Sequence, residues 1–234
     1  MIKLFHHTGK ERKARLSNIE LNNICYRFKS SLSINNVNFS ENKLNIIKGK
    51  NASGKTNLLK VIAGHIIPKS GEIQFSDDLK VDFNRFKLKD QKRFTEYVKN
   101  NISFIESPNF LYNEASIEQN LNYYLKINKE KEILEKQKKF VDFLNYFKVE
   151  EDKNKTVSSL SKGTRQKLII IFQILLDRKI ILMDEPTLGF DKESVAKFFN
   201  MFEELDKTFI ITTHEENFIQ RPNFHNFNME DIQR

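Results

Sequence analysis

The sequence predicts an α/β fold with a mainly parallel sheet core, and three observations predict it. The runs "KIILMDEP" (179–186) and "TFIITTHE" (208–215) are apolar through their centres, as strands buried on both faces are. Helical patterns separate the apolar runs, and strand–helix–strand order argues a parallel sheet covered on both sides. From 19 to 48 apolar residues instead alternate with Asn, Ser and Lys, which predicts an antiparallel strand region over 19–40.

The elements follow in order. "IELNNICYRF", "LSINNVNFS" and "KLNIIKG" read as short strands divided by polar breaks. In "TNLLKVIAGH" (56–65) the apolar positions 58, 59, 61 and 62 have helical spacing, with Gly64 and Pro68 as stop signals. "SGEIQF" (70–75) reads as a turn and a strand, and 76–100 as an insertion or partly ordered helix, because its periodicity is poor. The stretch 114–148 predicts helices. Ser116 and Gln119 have capping-box spacing, and Ile133, Leu134, Phe140, Val141, Leu144 and Phe147 make an apolar stripe opposite a solvated Lys/Glu face. Residues 150–159 read as a loop, "KLIIIFQILL" (167–176) as a helix, and "DKESVAKFFNMFEEL" as the helix between the last two strands.

A chain of 234 residues can bury a sizeable core as one large domain or a domain carrying a subdomain. Cys25 is the sole cysteine, which excludes an intramolecular disulfide and a thiolate cluster. The longest apolar run, "LIIIFQILL" (168–176), has nine residues and includes Gln173, against the roughly 20 needed to span a bilayer. The N-terminus lacks the apolar stretch of a secretory signal. The net charge of +8 is scattered without interleaved aromatics, so no nucleic-acid partner is expected. Residues 1–18 read as a basic tail, in which Lys3, Lys10, Arg12, Lys13 and Arg15 face only Glu11.

The chemistry starts at "GKNASGKT" (49–56), which fits G-x-x-x-x-G-K-[ST] between a strand and a helix, the phosphate-loop pattern. Gly49 and Gly54 let the backbone wrap so that the N–H groups of Asn51, Ala52 and Ser53 point at phosphate oxygens. The following helix adds its positive end. A lysine at that end is explained only by an anion between the two: Lys55 reaches the β/γ-phosphates, and the Thr56 hydroxyl can ligate Mg²⁺. "IILMDEP" (180–186) supplies Asp184 at the carboxyl edge of the sheet for the metal, and Glu185 beside it to orient or deprotonate the attacking water.

With "SSLSKGTRQKL" (158–168) the chain resembles the ATP-binding cassette (ABC) ATPases, whose signature is commonly L-S-G-G-Q. Leu160, Ser161 and Gly163 match, while Lys162 and Thr164 depart from it; the L-S-K-G form resembles a subset of bacterial exporter-type cassettes. Ser161 lies 106 residues after Lys55 and 23 before Asp184, as in that family. The resemblance covers 19–225 and implies a P-loop NTPase fold with an antiparallel β subdomain and a helical subdomain at about 107–157. It also implies that Asn57 belongs to the ATP-binding loop and Asp191 of "LGFD" to the D-loop. His214 is the implied contact to the γ-phosphate and the attacking water, and the signature contacts the ATP held by another protomer. The adenine-stacking aromatic falls on Phe28 by alignment, with Tyr26 as the alternative. Where the family carries a glutamine near Mg²⁺, this chain has Ser107 with Glu106 beside it. The implied cofactors are ATP and Mg²⁺. The implied partners are a second nucleotide-binding domain and an integral membrane permease, with the chain cytoplasmic on the inner face of the membrane, as an exporter subunit. Two other classes stay open: a soluble cassette acting on ribosomes or nucleic acid, and a low-turnover regulator.

Overall fold

The computed structural model describes residues 18–27, 31–76, 78–105, 110–149, 153–202, 204–213 and 224–233. Among them the strands sort into two sheets of opposite pairing habit. The alternating stretch forms β1 (Asn18–Arg27), β2 (Ser31–Ile34) and β3 (Val37–Ser40). β1 is long enough to pair antiparallel with both, setting Leu21 opposite Val37 and Ile24 opposite Ile34. Its other edge takes β5 (Ser70–Phe75), which pairs antiparallel with β6 (Leu79–Asp82). The antiparallel region thus runs on to Asp82, well past the expected limit at 40.

Residues 78–101 are also more regular than their polarity suggests. They hold β6 and then α2 (Leu88–Asn101), opened by a hydrogen bond from Lys87 N–H to Asp90 Oδ2 at 3.1 Å. Among its residues only Phe94 is fully buried, with Tyr97 and Val98 packed half-buried beside it, so the apolar stripe is one short i, i+3, i+4 set in a charged helix and its period is hard to see.

The second sheet is parallel throughout, in the order β10 (Phe224–Asn228), β4 (Leu44–Lys48), β9 (Thr208–Thr212), β8 (Ile180–Met183) and β7 (Ile102–Phe104). Successive side chains enter two different cores. Ile46, Ile181, Met183, Phe209 and Ile211 face one; Ile47, Ile180, Leu182 and Ile210 face the other. That two-sided burial explains the unbroken apolar runs. The second core also receives α1 (Lys55–Ile62), and the first receives α3 (Ile117–Ile127), α4 (Ile133–Tyr146), α5 (Lys162–Leu175) and α6 (Lys192–Met201).

The helical insertion, α3 and α4, is tied to the end of α5 by charge as well as packing. Glu130 pairs with Lys136 at 2.8 Å and Arg178 at 3.2 Å, and Lys136 Nζ also donates to the Leu175 carbonyl at 2.9 Å. Nearby Lys207 donates to the carbonyls of Leu176 and Arg178, and burial pushes its ammonium down to about 8. Among the described residues no helix is long and apolar enough to cross a membrane.

Candidate nucleotide site

Three neighbouring strands, β4, β9 and β8, end side by side, with Ile47 level with Thr212 and Met183 level with Ile211. Whatever follows β4 and β8 in sequence therefore meets at one edge. After β4 comes the glycine loop. Gly54 takes the left-handed region (φ 97°) that ends the loop and starts α1, a turn that a β-carbon would strain. Lys55 is mostly buried, and its ammonium folds back to donate to the carbonyls of Gly49 (2.8 Å) and Lys50 (3.0 Å). No acid stands in the first turn of α1, so the positive end of the helix and the Lys55 ammonium lie together without a carboxylate in that turn to offset them.

After β8 comes the acidic pair. Thr56 Oγ1 donates to Asp184 Oδ2 at 2.7 Å, joining the loop to the carboxylate. Thr212 Oγ1 donates to Asp184 Oδ1 at 2.6 Å and accepts the Glu185 N–H at 2.9 Å. Glu185 adopts φ 45°, a left-handed conformation that costs a non-glycine residue about 1–3 kcal/mol and concentrates at functional turns. A hydroxyl and a carboxylate oxygen brought together are hard donors that fit Mg²⁺. That ion takes one or two protein oxygens and completes its shell with phosphate and water.

The signature stretch forms a second helix start. Ser161 caps α5 by accepting the Thr164 N–H at 3.1 Å, with the two hydroxyls 2.9 Å apart, while Leu160 is anchored in the core and Lys162 is exposed. The helix therefore begins five residues earlier than its apolar run. Gly163 lies so close to the next loop that a β-carbon would stand 2.8 Å from the Gly189 carbonyl oxygen. The glycine is what lets the signature and the "LGFD" turn touch. Asp191 then caps α6, and the Ser194 N–H donating to it holds its carboxyl below the usual range. Among the described residues no hydrogen bond joins 160–164 to 49–57.

Phe28, Glu106, Ser107 and His214 lie outside the described residues. Tyr26, the alternative for the adenine, is corrected: its ring is fully buried beneath the loop, and burial pushes its hydroxyl up to about 12, so it is a core residue. Sequence reading missed two supports. Thr212 reads as another β-branched strand residue, though a hydroxyl at the end of an apolar strand is the signal that could have marked it. The C-terminal segment β10 and α7 (Met229–Ile232) braces the loop, with Gln233 Nε2 donating to the Ser53 carbonyl and Lys50 paired with Glu230 at 3.2 Å. Five residues of strand and one turn of helix were too short to announce themselves.

The family described as ABC transporter matches residues 32–188. The chain is 30% identical over 195 residues to the lipoprotein-releasing system ATP-binding protein of Buchnera aphidicola, covering 80% of this chain and 82% of that protein. It is 25% identical over 215 residues to the zinc uptake system ATP-binding protein of Listeria monocytogenes, covering 84% and 76%. A solved ABC transporter ATP-binding protein from Pyrococcus furiosus shares the fold, with a TM-score of 0.75 and 21% identity over 93% of this chain and 100% of that one. The family match takes in the glycine loop, the signature and the acidic pair together, and the chain therefore belongs to the ABC transporter family as one of its ATP-binding, ATP-hydrolysing cassettes.

Proposed function

We propose that two cassettes, two copies of this chain or this chain and a homologue, close around two Mg-ATP and drive a separate membrane permease, in the export direction. The observation that supports the reading is the hydrogen bond of Thr56 to Asp184 at 2.7 Å, which joins the glycine loop to a carboxylate at one sheet edge. Lys55 and the N–H groups of 49–57 hold the polyphosphate, and Thr56 and Asp184 hold Mg²⁺. When bound, the metal neutralises charge on the transferring phosphoryl group. Glu185 takes the proton of the attacking water, and His214 orients that water. Ser161, at the N-terminus of α5, offers a second anion site to the ATP of the other cassette. Closure is then a population shift, driven by contacts made only in the closed pair. Phe28 stacks on the adenine. The chain itself is cytoplasmic, docked on the inner face of the membrane through the permease.

Export is favoured by the L-S-K-G signature and by likeness to the lipoprotein-releasing protein; the zinc-uptake relative supports import as the second reading. The test is a pull-down of Glu185→Gln protein from detergent-solubilised host membranes with Mg-ATP. We expect ATP to be bound but not turned over, the closed pair to accumulate, and a multi-span membrane protein to be recovered in stoichiometric amount. Recovery with ribosomal proteins or nucleic acid alone would instead support a soluble cassette. The direction is then read from transport by the recovered complex in oriented vesicles.

A further inference from the structure

We propose that Thr212 is a positioning residue that sets both acids of the β8 end, Asp184 and Glu185, through one hydroxyl. The inference rests on the reading of Asp184 as the metal-side carboxylate and Glu185 as the base. Thr212 is fully buried and closes β9, the strand lying between β4, which leads into the loop, and β8, which leads into the acids. Its one hydroxyl hydrogen goes to Asp184 Oδ1 at 2.6 Å, and its oxygen accepts the Glu185 N–H at 2.9 Å. Thr56 engages the opposite oxygen, Asp184 Oδ2, at 2.7 Å. Three hydrogen bonds thus run unbroken from the loop to the backbone of the base.

This arrangement does two things that packing alone cannot. Asp184, held at both oxygens, cannot rotate away from Thr56, so the oxygen facing the loop stays there. Glu185 sits at φ 45°, and the bond to its own N–H opposes relaxation to an ordinary conformation. Nothing else at position 212 calls for a hydroxyl. The preceding strand residues Ile210 and Ile211 are aliphatic and fully buried, and valine has the same branched shape. Valine would, however, take away the acceptor of the part-buried Glu185 N–H and the donor to Asp184 Oδ1.

The test compares Thr212→Val, Thr212→Ser and Thr212→Ala with wild type and Glu185→Gln in the full chain. Turnover, affinity for Mn²⁺ with ATP by electron paramagnetic resonance, and ATP affinity in EDTA are measured for each. Thr212→Val and Thr212→Ala should lose about tenfold in turnover and about tenfold in Mn²⁺ affinity, while metal-free ATP affinity stays within about twofold. Thr212→Ser should restore both losses. Serine and alanine differ only by the hydroxyl, so that pair decides the matter even if the valine variant fails to fold. Equal turnover and Mn²⁺ affinity in the serine and alanine variants, with Glu185→Gln inactive, would overturn this inference and leave Glu185 as the base. Full turnover in Glu185→Gln would remove the base itself, and the inference with it.

Discussion

Lys55 occupies the end of a helix where the dipole disfavours a cation, and the carbonyls of Gly49 and Lys50 compensate for it. Those bonds hold the ammonium over the loop rather than in solvent, so it is placed before any phosphate arrives. Charge-assisted hydrogen bonds are worth about 1.5–3 kcal/mol. Lys55→Ala should therefore weaken ATP binding by about 10- to 100-fold, as isothermal titration would read. Unchanged affinity would mean that the ammonium serves only its own loop. The same reasoning separates Tyr26 from the site: a ring with no exposed surface has no face to offer a base.

Helix starts show how much of an element is written in its local residues. Ser116 and Gln119 form the capping box that their spacing predicts, with bonds of 3.1 and 2.9 Å, and α3 begins where it should. α5 behaves differently, because its first turn is made of the signature and carries no apolar stripe. Only the Ser161 cap marks its true start. These two caps make a paired prediction. Ser116→Ala and Ser161→Ala should each cost about 1 kcal/mol in urea unfolding, since each removes one side-chain acceptor for an N–H of the first turn. Ser116→Ala should keep full turnover, whereas Ser161→Ala should lose it. Equal loss in both would reduce Ser161 to a cap and nothing more.

For the whole molecule, the parallel sheet separates two cores and presents the loop and the acidic pair at a single edge. The signature lies against Gly189, and among the described residues no hydrogen bond joins it to its own loop. If each site is completed by another chain, the turnover per chain should rise with protein concentration and level off once pairs predominate. Turnover that is independent of concentration from nanomolar to micromolar protein, without a preformed pair in light scattering, would count against the two-cassette site.

Motifs confined to one stretch were legible from the sequence. The loop at 49–56, the acids 184 and 185, the cap at 116 and the two-sided apolar strands each depend on neighbours within a few residues, where steric and hydrogen-bonding rules act directly. The tertiary structure decided what depends on neighbours far along the chain. It gave β1 three partners, ordered α2 on the short set Phe94, Tyr97 and Val98, buried Tyr26 and braced the loop with residues 229–233. It also made Thr212 the partner of two acids some 28 residues away. Strand adjacency creates that pairing, and adjacency is set by the packing of the entire sheet, which no local window of sequence contains.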